Sequence, residues 1–151
     1  MLPPQAAEYF KRECATRFAD LSRLLADEVR AFERSESTKG HLVGSGWAAR
    51  LAGVYETNAK RVAQAIVSIQ RQVHTDFEAP LDPGVERQLS EWGRDALQDH
   101  FKSLTEAYVR ELGRHGLPPP DLKGFEYTRA LVEVTVSNTI TDDLWKMRNL
   151  P

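Results

Sequence analysis

The sequence predicts an all-α protein, a bundle of four main helices with long second and third members. Three observations predict it. Apolar residues recur at three- and four-residue steps through four segments, which lines them along one helix face in each. Gly- and Pro-marked breaks separate those segments. With 41% hydrophobic and 28% charged residues, the 151-residue chain has the make-up of a globular protein and reads as one domain, 1–151.

The first helix is expected from about Pro4 to about Glu33, on a seam of Phe10, Cys14, Phe18, Leu21, Leu25, Val29 and Phe32. Pro3 and Pro4 suit its first turn, where a missing N–H costs nothing. The break that follows, "SESTKGHLVGSG", is rich in poor helix continuers, and its Leu42 and Val43 are expected to add a short helical turn. The second helix starts at Trp47 with Ser45 as N-cap and runs through Leu51, Val54, Tyr55, Asn58, Val62, Ile66, Ile69, Val73 and Phe77. It would span roughly 45 Å, and so long an apolar face needs neighbours to cover it.

Pro80 is expected to stop this helix, Asp82 to cap the third and Pro83 to fill its first turn. The third seam is Val85, Leu89, Trp92, Ala96, Phe101, Leu104, Tyr108 and Leu112. In "RELGRHG", Gly116 takes the left-handed position past the helix end and Leu112 meets Leu117, as a Schellman stop requires. Arg114 and His115 then complement the negative end of the helix dipole. Pro118, Pro119 and Pro120 form a stiff connector. The fourth segment, 125–145, carries two periods. Leu131, Val134, Asn138, Thr141 and Trp145 make a helical seam, whereas Val132, Val134, Val136 and Ile140 alternate as a strand would. A strand would find no partner elsewhere in the chain, so the expectation is helix.

Composition excludes several classes. The formal charge of −2 gives the whole molecule no strong attraction to nucleic acid or anionic membrane. Cys14 is the single cysteine, so neither an intrachain disulfide nor a cysteine zinc site can form. The start "MLPPQAAEYFKREC" lacks a signal-peptide pattern, and no window approaches the roughly 20 apolar residues of a membrane span. A cytoplasmic protein is expected, bound neither to a membrane nor to a cofactor. The excess of arginine over lysine, 14 to 6, fits a high-GC bacterial genome.

No metal site is expected. The Glu-x-x-His pairs of di-iron bundles are absent. Glu91, Asp95 and Asp99 form an acidic row that reads as a solvated face, and the histidines His41, His74 and His115 have no ligand-like spacing among themselves. The Gly-rich run Lys39–Gly46 lacks P-loop order.

Two polar features point instead to association. Asn58 falls mid-seam in the second helix and Asn138 in the fourth; buried amides need partners and often set register or partner number, so the two are expected to bond to each other. On that expectation Asn58→Leu leaves folding intact and broadens the oligomer distribution. The stretch from Lys39 to His74 carries a local charge of +4, and Arg50, Arg61, Gln64 and Arg71 follow one flank of the second helix. This flank could meet an acidic partner or a phosphate run, though pairing with acidic faces of helices one and three, or within an oligomer, is favoured. No aromatic residues are interleaved with these bases, which disfavours single-strand binding.

The stretch "RDALQDHF" sets Arg94 six residues before His100. An arginine, a polar residue and then a histidine resembles the signature of HEPN domains, helical bundles that include metal-independent ribonucleases. The resemblance implies that Arg94 stabilises phosphate charge and His100 acts as general acid or base, paired across a dimer. On one straight helix the two side chains diverge by about 120°, so neither could serve the same phosphate without a second chain or a local break. The favoured expectation is a non-enzymatic interaction protein (adaptor, accessory or scaffold) that associates with itself. The alternative is a HEPN-like ribonuclease or inactive relative using Arg94 and His100.

Overall fold

A computed structural model describes residues 1–78 and 82–148, apart from the side chains of Leu144, Trp145, Met147 and Arg148. Four helices account for the fold: α1 (Pro4–Thr38), α2 (Ser45–Asp76), α3 (Pro83–Arg114) and α4 (Lys123–Arg148). The expected all-α bundle is what forms, and the segment with two periods is helical over its described length. The helix stop expected at Pro80 and the seam position of the Trp145 side chain lie outside the described residues.

Local chemistry sets the ends. Asp82 Oδ1 accepts from the Val85 amide at 2.9 Å, with Pro83 in the first turn, so α3 is capped as its sequence predicts. Gly116 sits at φ +72°; the Leu117 amide reaches the Leu112 carbonyl and the Gly116 amide the Gly113 carbonyl, each at 3.0 Å. That is the expected Schellman stop. The same pair of bonds ends α1, where Gly40, also at φ +72°, lets the His41 amide reach the Glu36 carbonyl at 2.9 Å. Helix α1 therefore runs five residues past Glu33, to Thr38. Leu42 and Val43 add no helical turn, since Leu42 is 89% exposed and buries nothing that would stabilise one. Gly44, not Ser45, is the N-cap of α2, and no side chain caps it.

Pairings across the bundle give its topology. Phe10 meets Trp92, Phe18 meets His100 and Glu33 meets His115, each 82 residues apart, so α1 and α3 run parallel in constant register. Gln70 bonds the Leu89 carbonyl and Tyr108 the Ala48 carbonyl, both at 2.8 Å, so α2 runs against α3. The chain goes up, down, up, down. Helix α4 packs on α2 and α3, whereas α1 lies along α2 and touches α3 only sparingly.

The interior splits into two clusters. One is mainly aliphatic, with Ile66, Ile69, Val73, Leu89, Leu97, Val136 and Ile140. The other is richer in rings: Trp47, Tyr55, Phe101, Tyr108 and Phe125. In the first, α2, α3 and α4 approach so closely that a Cβ on Gly93 would lie 2.3 Å from Gln70 Nε2 and 2.6 Å from a Val136 methyl. Gln70 itself is wholly buried, and its amide donates to the Leu89 carbonyl.

The seam expected for the fourth segment is corrected. Helix α4 turns Phe125, Thr128, Val132, Val136 and Ile140 inward. Leu131, Val134, Asn138 and Thr141 face outward, with Leu131 48% and Val134 58% exposed. Both faces of this helix are apolar, so period alone left two orientations, and the β-branched face packs better against α2 and α3.

Candidate functional site

Because α1 leans on α2 and barely meets α3, the side of the bundle between α1 and α3 stays open. Two concavities lie there and share His100 and Ser103, so they form one continuous groove. The upper part, about 480 Å³, has Phe10, Cys14, Phe18, Trp92 and Ala96 in its walls. The lower part, about 930 Å³, has Leu25, Val29, Tyr55, Leu104 and Ala107. Along α3 the groove is followed by Trp92, Ala96, Asp99, Ser103, Ala107, Arg110 and Arg114, three or four residues apart, as one stripe of a helix must be.

His100 stands where the two parts meet, and two residues singled out separately in the sequence come together there. Asn58 Nδ2 donates to the Leu21 carbonyl at 3.0 Å, which turns Asn58 Oδ1 toward His100. His100 Nε2 lies 3.2 Å from that oxygen and must carry the proton to bond it. The ring packs against Phe18 at a tilt of 56°, with centroids 5.0 Å apart. Burial lowers the pKa of His100 below its ordinary 6.5, so the imidazole is neutral near pH 7. Asn58 is thus satisfied within its own chain by α1 and α3. Asn138 is exposed on α4 and does not meet it, which corrects the expected Asn58–Asn138 pair.

Arg94, the other half of the arginine–histidine pair, lines neither part of the groove, whereas His100 lines both. Among the described residues Arg94 forms no ion pair. Within one chain the two side chains are not brought to a shared site. Cys14 lies in the groove wall with its thiol pushed by burial to about 12, so it stays protonated and unreactive at neutral pH.

The basic flank of α2 is largely spent inside the bundle. Arg50 binds Glu36 through Nε at 2.5 Å and Nη2 at 3.2 Å. Arg61 pairs with Glu28, and Arg71 grips Asp143 bidentately at 2.7 and 3.0 Å. The acidic partners come from α1 and α4 rather than from α1 and α3. Gln64 remains exposed in a depression between α2 and α4 whose walls include Arg71, Gln72, Thr75, Thr135 and Thr139.

Sequence reasoning missed two polar locks. Glu36 is buried at the end of α1, where the hydrogen bonds of Arg50, assisted by His41, hold its carboxyl below the usual range. Position 36 continues the α1 seam four residues past Phe32, and that spacing could have revealed it. The second lock lies at the lower end of the groove. His115 bonds Glu33, sits 3.5 Å from Glu111 Oε1 and packs at a tilt against Trp47, 4.7 Å between centroids. Burial and the adjacent Glu33 raise the pKa of Glu111. One donor atom each from Glu33, Glu111 and His115 falls within 4.8 Å of the others, a set that could hold a divalent cation. His115 bonds Glu33 and Arg114 lies 3.6 Å from Glu111, so the cluster ties α1 to α3 through the His115–Glu33 bond. Glu111 and His115 share one helix face four residues apart, but nothing in the sequence joins them to Glu33, 82 residues before His115.

No helix among the described residues is long and apolar enough to cross a membrane. No protein-family model, no curated protein and no solved structure matches the chain.

Proposed function

We propose that this protein is a non-enzymatic interaction module whose working surface is the α1–α3 groove, which receives an amphipathic helix of a protein partner. The observation that carries the reading is the groove's make-up. The two parallel helices meet at Phe10–Trp92, Phe18–His100 and Glu33–His115, and between those contacts they leave partly apolar concavities that a closed bundle would have filled. Helix-in-groove recognition uses this geometry: one apolar face settles between two helices, with anchors at three- and four-residue steps. Ala15, Ser22, Ala26, Ser103 and Ala107 along the walls would let a third helix come near. The groups in the groove that could do chemistry support a binding role, since Cys14 stays protonated and the His100 N–H is committed to Asn58.

The test is a photo-cross-linking amino acid placed at Ser103 or Ala15, with Ser68 on the far α2–α4 side as control, in the cells that make the protein. The reading expects cross-linked products of discrete mass from the two groove positions and none from Ser68. Products of equal yield from all three positions, or from none, would overturn it.

A further inference from the structure

We infer that the occupant of the groove is a second copy of this chain, docked with its α3 antiparallel to the first; the inference rests on the reading of the groove as a helix-docking surface. Charge placement carries it. Asp95 and Asp99 rise from the upper half of the α3 stripe, and Arg110 and Arg114 from the lower half; all four are exposed. Among the described residues Asp95, Asp99 and Arg110 have no ion-pair partner, and Arg114 reaches only Glu111, at 3.6 Å. One helix therefore presents unspent acid at one end and nearly unspent base at the other, in the same groove.

The spacing makes the pattern self-complementary. The two aspartates are four residues apart, and so are the two arginines. A two-fold axis crossing α3 beside Leu104 then sets Asp95 against Arg114 of the second copy and Asp99 against its Arg110, with both pairs repeated by symmetry. A two-fold contact must be complementary to itself, residue by residue, and this stripe meets that requirement without any change of register. A parallel arrangement would set acid on acid and base on base. Near the axis stand Ser103 and Ala107, small enough for two α3 helices to approach. With Lys11 of α1 in the upper half and Glu33, Glu111 and the Asp27-paired Arg30 in the lower, the lining keeps one net negative charge above and one net positive charge below, the signs of the α3 pairs. Charge would then select the partner and its orientation, and the apolar part of the groove would hold it.

The experiment is light scattering and sedimentation on the full chain, on Asp95→Arg/Asp99→Arg, on Arg110→Glu/Arg114→Glu and on an equimolar mixture of the two variants. All four positions are exposed, and circular dichroism checks that each variant folds. The wild-type chain is expected to dimerise, each variant alone to dimerise at least about tenfold more weakly, and the mixture to recover a heterodimer. Wild-type chain that stays monomeric at about 100 μM would overturn the inference, while a cross-link from Ser103 to a different protein would leave the groove reading standing. A dimer that survives both reversals would also overturn it. Leu131→Glu, on the outward face of α4, then reports whether that helix pairs instead.

Discussion

The α2–α3–α4 interior and the α1–α3 groove are built from similar residues to opposite ends. Where α2, α3 and α4 meet, Gly93 removes a side chain so that Gln70 and Val136 can occupy its place, and no room is left for a methyl group. Across the groove, Ala96, Ser103 and Ala107 on the outward stripe of the same α3 are also small, and space remains beside them. Small residues alone do not close a helix pair. In the interior a buried amide and interlocking β-branched side chains draw the helices together. Along the groove α1 is held away from α3 by Phe10 on Trp92, Phe18 on His100 and Glu33 on His115, contacts spaced along its length like struts.

The largest effect should come from filling the closed side. Gly93→Ala places Cβ within contact limits of both Gln70 and Val136, and overpacking of this kind costs about 1–3 kcal/mol. That outweighs the roughly 1 kcal/mol alanine gains over glycine in a helix. Urea denaturation is expected to show a net loss, and an unchanged midpoint would mean that the interior is looser than described.

A smaller loss is expected at the junction of the two regions. Asn58→Leu removes the acceptor for His100 and the donor to the Leu21 carbonyl, at about 1–2 kcal/mol. Since both partners lie in the same chain, this variant should lose stability and leave the oligomeric state alone, the reverse of what the sequence suggested. The same contact has a pH signature. The folded state lowers the pKa of His100, so its contribution is complete above the ordinary 6.5 and is lost as pH falls through the lowered value. Thermal melts between pH 7.5 and 5 should therefore fall more steeply for wild type than for His100→Gln, which keeps an amide donor but cannot titrate; parallel curves would refute the buried neutral imidazole.

The smallest effect belongs to the open side. Ala15→Leu adds three carbons beside the groove rather than into a packed core, and its effect on stability should stay within about 0.5 kcal/mol. A loss matching that of Gly93→Ala would mean that the groove is closed in solution.

Much of the fold was legible because it is local. Pro83, Asp82, Gly116 and the seam of α2 act within one or two turns of themselves, and the structure places each as the sequence predicts. The candidate site was legible only in pieces. His100 and Asn58 were conspicuous one at a time, for an imidazole beside Phe101 and an amide within an apolar seam. Nothing in the order of residues joins position 58 to position 100. Asn138 was conspicuous for the same reason as Asn58 but faces solvent, because α4 has two apolar faces and only packing chooses between them.

The sequence by itself determined that there would be four helices, where α3 would begin and end and that the long apolar face of α2 would need neighbours, since hydrogen bonding, caps and the 3.6-residue period are properties of neighbours along the chain. The tertiary structure decided which face of α4 turns inward, which acid each arginine would meet and that α1 would settle on α2 and leave a groove beside α3. Those choices depend on side chains 14 to 82 residues apart competing for the same space, and a competition of that kind is settled by packing.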